Sequence, residues 1–473
     1  MTRVGCVPAR AAAGWVRHPV LCIVPPYVLS QLARLRDPTL SRLAEAALAS
    51  LAASERLRGE RSALGAVAPL AVTPAGRKHR TVYDAGHGQG LPGTVLRREG
   101  DPPSDDVSAN EAYDGLGATY DLFSRVYRRN SIDGRGMALD ASVHYLRSFN
   151  NSFWNGRQMV FGDGDGVIFQ RFTQCLEVIG HELTHGITQY EAGLEYSNQP
   201  GALNESFSDV FGSLVKQYAL GQTAEQADWL IGAGLLGPDV RGVALRSMKD
   251  PGTAYDDPRL GKDPQPATME GYVETEDDNG GVHINSGIPS RAFVLAALAF
   301  GGPAWAKAGR IWYVALRDLL GQAADFREAA RVTIQLAGDA KQFGKNGAEI
   351  VRDAWRAVGV IPPPSVPRAH GASMRIRIVQ SGGFAGLRSE HAVDTDKLPP
   401  GVGESLAHLV DQATFFSLPA RRLSRLPDVI QYRIRVERDG RVHEIRCDAE
   451  CGEEALLELV DRVLELSGSA GAG

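Results

Sequence analysis

The chain has 473 residues, 43% of them hydrophobic, which suffices for real cores and, at roughly 150 residues per domain, for about three domains. Its 51 Lys and Arg against 56 Asp and Glu give a net charge of -5, without the basic surplus that a nucleic-acid or membrane-surface binder needs. Five scattered cysteines (Cys6, Cys22, Cys175, Cys447 and Cys451) do not form a disulfide framework, and no run approaches the ~18 apolar residues of a membrane span.

The N-terminal segment is rich in Ala and Arg without the continuous apolar stretch of an ordinary secretory signal, so synthesis in the cytoplasm is expected. Prolines hold Cys22 to Leu29 extended. Leu32, Leu35, Leu40, Leu43, Leu48 and Leu51 then recur near the helical period, predicting one or two amphipathic helices that need a larger body to cover them. From Thr81 the texture becomes β-rich, with turns at Asp84-Ala85-Gly86 and Phe161-Gly162-Asp163-Gly164-Asp165-Gly166, interrupted by a helix at Ser108 to Tyr127. Phe172 to Val360 is mainly helical.

The prolines of residues 362–373 mark a stiff linker. Beyond it, Met374 to Ile378 alternates as a strand, and Tyr432 to Val436 pairs with Arg441 to Arg446 across an Asp439-Gly440 hairpin turn. A helix from Glu453 to Leu466 closes the chain. The expected architecture is α+β in five parts. These are a satellite segment (1–75), a β-rich part with the candidate metal helices (76–225), a helical part (226–361), the linker, and a small α+β domain (374–473).

His181-Glu182-Leu183-Thr184-His185 puts two imidazoles at i and i+4, on one helix face a turn apart, as two ligands of one tetrahedral zinc require. The plain alternative is a helix face with two solvated histidines. Glu205 offers a third ligand and leaves a fourth position open for water, as catalytic zinc demands. Asp209, one turn further along, is placed to orient a ligand imidazole.

Five motifs in order carry a resemblance to the thermolysin family of zinc proteases: Asn150 to Gly156, Gly162 to Gly166, His181 to His185, Asn204-Glu205-Ser206, and Asn279 to Gly287. The resemblance spans Thr81 to Val360 and implies a β-rich half and a helical half with zinc in the cleft between them. It implies that Glu182 is the base that activates water, and that Tyr196 and His283 donate to the developing oxyanion, with Asp278 orienting His283. Asn151, Ser152 and Arg246 match groups that hold the substrate backbone. Phe169, Phe172, Val178 and Leu245 match the pocket after the cleaved bond, which implies cleavage before bulky apolar residues, although a simple core cluster would look the same.

The sequence departs from thermolysin where the family holds a double calcium site. Glu177 and Asp228 remain, but Lys216, Leu230 and Ala233 stand where acids are expected, so calcium dependence should be weak or absent. Pro25-Pro26-Tyr27 and the helices after it resemble the short propeptide of the protealysin branch, which implies a precursor that cuts itself between Arg61 and Arg80. Cys22 is expected to be a buried, inert thiol rather than a zinc-blocking one. From Met374 onward, with Ser381 to Gly386 and Phe415 to Pro419, the chain resembles emfourin, an inhibitor of such proteases, here in cis.

The expected partners are polypeptide substrates, the propeptide and the C-terminal domain, with no nucleic acid and no membrane. The resemblance to a commonly exported class leaves leaderless secretion to the extracellular space open beside the cytoplasm. Two other functions compete: a catalytically silent binding protein, against which intact Glu182, Tyr196 and His283 argue, and an inhibitor of other proteases.

Overall fold

The structure, a computed structural model, describes residues 21–64, 77–362, 374–382, 388–398, 401–424, 429–438, 440–448 and 454–469. Most of the expected processing stretch, the linker, most of the Ser381 to Gly386 turn, Cys6, Cys451 and Asp439 lie outside the described residues. The chain divides into two compact units, Met1–Pro363 and Pro364–Gly473.

The first unit is built on a six-stranded mixed sheet of β1 (Leu21–Cys22), β2 (Arg80–Asp84), β3 (Thr94–Arg98), β4 (Leu139–Val143), β5 (Ser152–Trp154) and β6 (Met159–Phe161), in the order β1-β5-β6-β4-β2-β3. Strands β6, β4 and β2 run parallel, while β1, contributed from far upstream, pairs antiparallel with β5. The extension expected for Cys22 to Leu29 is shorter than the prolines suggested. Helix α1 (Pro26–Ala33) starts at Pro26, because proline lacks only an N–H that the first helical turn does not use. Helix α2 (Ser41–Leu64) follows.

Helix α3 (Val107–Tyr127) covers the sheet with Ala109, Ala112, Leu116 and Phe123 buried, and Asp106 caps it by accepting from the Ala109 N–H at 2.9 Å. Two buried helices then cross at close range, α4 (Leu176–Tyr190) and α5 (Asn198–Leu220). Glycine permits that approach: a Cβ on Gly212 would lie 2.4 Å from the Glu177 carbonyl oxygen. Further helices, among them α6 (Asp278–Asn285) and the apolar α7 (Gly287–Phe300), complete the helical half.

In the second unit, Met374–Ser381 alternates buried and exposed residues as its pattern predicts and lies between Arg388–Asp394 and Gln431–Arg438, both antiparallel. Gln431–Arg438 pairs in turn with Arg441–Asp448, with Gly440 in the tight turn at a φ of 72°. Helices Val402–Gln412 and Glu454–Ser469 supply Leu406, Leu409, Leu456 and Val460 to this unit's own core.

Candidate active site

Helix α4 carries His181 and His185 on one face, and α5 brings Glu205 and Asp209 to meet them. All four are buried. The Nε2 atoms of the two histidines are 3.0 Å apart, and each lies 3.5 Å from a carboxylate oxygen of Glu205. The His181 Nδ1–H donates to Asp209 Oδ1 at 2.7 Å, which leaves the Nε2 lone pair facing the centre. The His185 Nδ1–H likewise donates to Asn204 Oδ1 at 2.8 Å, with Ser208 Oγ at 2.9 Å. Burial and the neighbouring His181 keep the His185 imidazole well below its ordinary pKa and therefore neutral, as a metal ligand must be. Asn204 lies in a motif the sequence singles out and Ser208 one turn beyond it, but nothing in their spacing announced these partners.

The donor set fits zinc. Two imidazole lone pairs face one carboxylate, and Glu205 Oε2 is buried with no hydrogen-bond partner among the described residues, which is costly unless a cation satisfies it. No other group of three such ligands among the described residues is fully buried.

Glu182 meets Ser152, whose Oγ donates to Glu182 Oε1 at 3.2 Å. Burial, and then the charge of Glu205, push the Glu182 carboxyl well above the usual range. Tyr196 donates its hydroxyl to Glu205 and lies 3.3 Å from His283 Nε2. The His283 Nδ1–H donates to Asp278 Oδ1 at 2.6 Å. Burial alone would lower the His283 pKa, but the Asp278 and Glu205 carboxylates outweigh it and raise the value to about 9. The turn that delivers His283 runs left-handed from Asp278 to Gly281, and a Cβ on Gly280 would strike the Asn198 side chain at 2.3 Å. Arg246 grips Asp209 through Nε at 2.9 Å and Nη2 at 2.8 Å, so it is tied to His181 through one carboxylate.

The chain's own N-terminal segment lies across these groups. The Ile23 N–H donates to the Ser152 carbonyl at 3.3 Å. Val24 exchanges hydrogen bonds with the Asn151 amide, at 3.0 Å through its N–H and 3.3 Å through its carbonyl. The Ile23 carbonyl accepts from Arg246 Nη1 at 3.0 Å, and the Cys22 carbonyl accepts from His283 Nε2 at 3.1 Å. All eleven site residues expected from the sequence are therefore brought into one connected cluster. The sequence points to its occupant only in outline, because strand pairing across some 130 residues leaves no local signal. The Cys22 thiol is buried with Tyr145, Phe149, Phe153 and Ala53, its Sγ 3.9 Å from Ser54 Oγ. Phe169, Phe172, Val178 and Leu245 are buried in the same core cluster as Ile23.

Residues 75–189 match the family described as thermolysin metallopeptidase, catalytic domain, and residues 192–360 its alpha-helical domain; residues 378–464 match emfourin. An extracellular metalloprotease of Pectobacterium carotovorum subsp. carotovorum is 54% identical over 347 residues, 72% of this chain and 97% of that protein. A thermolysin of Alicyclobacillus acidocaldarius is 41% identical over 292 residues, 59% of this chain and 50% of that protein. The solved precursor of protealysin, a metalloproteinase from Serratia proteamaculans, superposes with a TM-score of 0.66 at 50% identity, covering 72% of this chain and all of that one. With both halves matched in register and a relative spanned nearly end to end, the chain belongs to the thermolysin family of metallopeptidases.

Proposed function

We propose that this metallopeptidase is a latent precursor that hydrolyses peptide bonds ahead of bulky apolar residues, with Glu182 as its base and its own N-terminal segment as the plug. His181, His185 and Glu205 would hold a zinc ion, which would supply Lewis acidity toward the water and the substrate carbonyl. Glu182 takes a proton from the attacking water and passes it to the leaving amine nitrogen. A raised carboxyl pKa suits a group that must both accept and release that proton. Tyr196 and His283 donate to the carbonyl oxygen as charge develops on it. Arg246 holds the carbonyl of the residue after the cleaved bond, while Asn151 and Ser152 pair with the backbone beyond.

One observation carries this reading. The peptide from Cys22 to Val24 meets the site as a substrate would: one carbonyl on His283, the next on Arg246, and its backbone added to β5 as an extra strand. Ile23, fully buried, then stands for the residue after the cleaved bond, which supports the apolar specificity. The emfourin match supports regulation by the C-terminal domain in cis. Lys216, 2.8 Å from Asp228 and 3.6 Å from Glu177, supports weak calcium dependence, and relatives named as extracellular support action outside the producing cell.

The test is mass spectrometry of the full chain and of Glu182→Ala, each incubated with zinc. Loss of the first ~60 to 80 residues from wild type alone is the expected outcome. If neither is cut, and wild type lacking both terminal segments leaves unfolded casein intact, the reading is wrong.

A further inference from the structure

Three loops meet at one end of the sheet and bring together a group that shares no residue with the zinc ligands. The turn after β2 carries His87, the residue following β4 is His144, and Asp163 lies just beyond β6. His144 Nδ1 is 2.9 and 3.0 Å from the two Asp163 oxygens, His87 Nδ1 is 3.6 Å from Asp163 Oδ2, and the three ligand atoms lie within 4.8 Å of one another. Behind His144, its Nε2–H donates to Asp106 Oδ2 at 2.7 Å.

The molecule supplies its own ruler. The edges of the catalytic trio are 3.0, 3.5 and 3.5 Å, and its His181 is backed by Asp209 at the same 2.7 Å. A carboxylate behind an imidazole fixes the tautomer and turns the other nitrogen outward, which is how metal-binding histidines are held. Both rings reach this point from left-handed backbone, with φ of 57° for His87 and 56° for His144, an uncommon conformation for a non-glycine residue. The His87 N–H donating to the His144 carbonyl at 2.8 Å ties the two residues together.

We propose that His87, His144 and Asp163 form a second metal site, oriented by Asp106, for a first-row transition dication such as zinc or nickel. Two imidazoles and one carboxylate suit such ions better than calcium or magnesium, which prefer oxygen alone. A dication there joins the turn after β2 to the ends of β4 and β6. That turn already meets the N-terminal segment, because Arg56 donates to Gln89 at 2.5 Å and to the Tyr145 hydroxyl at 3.4 Å. The site is therefore structural, steadying the surface on which α2 packs. Without a metal, the same atoms make ion pairs of a protonated His144 with Asp106 and Asp163, and His87 stands at their edge, 3.6 Å from Asp163.

The experiment counts metal on the full-length Glu182→Gln chain, which keeps every zinc ligand and, lacking the proposed base, is expected to stay whole. Equilibrium dialysis at micromolar free zinc, followed by metal analysis, is expected to give two zinc ions per chain. Adding His87→Ala, on a half-exposed turn, should give one zinc with an unchanged melting temperature in the absence of excess metal. Adding His185→Ala instead should also give one, and both together none. One zinc on the parent chain, or two on the His87→Ala chain, overturns the proposal.

Discussion

Helices α4 and α5 hold two charge clusters a few turns apart, and each is closed in a different way. At one, Glu177 is buried and accepts from the Gly232 and Ala233 N–H groups at 3.2 and 3.0 Å, and Lys216 brings its ammonium to Glu177 and Asp228. At the other, His181, His185 and Glu205 present lone pairs and an unpartnered oxygen to a common centre, covered by Cys22, Ile23 and Val24. The first cluster is neutralised by a side chain that cannot leave. The second is covered by a chain segment that proteolysis can remove. A helix pair that keeps its ligands in place needs a rigid, self-sufficient end if the other end is to stay open for chemistry.

Tyr196→Phe bears on the removable side and should have the largest effect. It deletes one donor to the oxyanion and is expected to lower kcat about 100-fold, roughly 3 kcal/mol, with little change in KM. Zinc content, measured alongside, should hold, because His181, His185 and Glu205 all remain. A kcat within a few-fold of wild type would remove Tyr196 from the chemistry and leave it a packing residue.

Lys216→Ala tests the permanent side. Breaking a fully buried ion pair costs about 3 to 5 kcal/mol, but Lys216 and Asp228 are partly exposed, so about 2 kcal/mol is expected here, read as a lower midpoint in denaturant. Lys216→Glu should go further and make the melting temperature rise with added calcium, whereas wild type stays indifferent to it. A wild-type chain stabilised by calcium would show that Lys216 does not stand in for the cation.

How much of this was legible follows the range of each interaction. The His181 to His185 spacing, Glu205, and the alternation of Met374 to Ile378 are local patterns, and the structure carries all of them. The extended segment ends at Pro25 rather than at Leu29, because a proline such as Pro26 suits the first turn of a helix as well as it suits extended chain. The pairing of β1 with β5, the grip of Arg246 on Asp209 and the meeting of His87 with His144 join residues tens to hundreds of positions apart. No periodicity records such contacts. For Arg246 and Asn151 only the family resemblance pointed to the site, and it named their roles without showing that the chain's own residues 22–24 already occupy them.

The smallest expected effect decides how the removable cover works. Cys22 lies two residues from the Val24 that pairs with Asn151, and a thiol so placed invites the idea that sulfur blocks the metal. The geometry argues otherwise, since the contacts to His283, Arg246, Ser152 and Asn151 are all made by backbone atoms, while the thiol is buried among Tyr145, Phe149 and Phe153. Cys22→Ala should therefore cost about 1 kcal/mol of stability through a small cavity and leave the uncut precursor as inactive as before. Ile23→Pro, by contrast, removes the N–H that pairs with Ser152 and should release activity from the uncut chain. Both are read with a short fluorogenic peptide before any processing has occurred. If Cys22→Ala wakes the precursor and Ile23→Pro does not, sulfur and not the added strand closes the site.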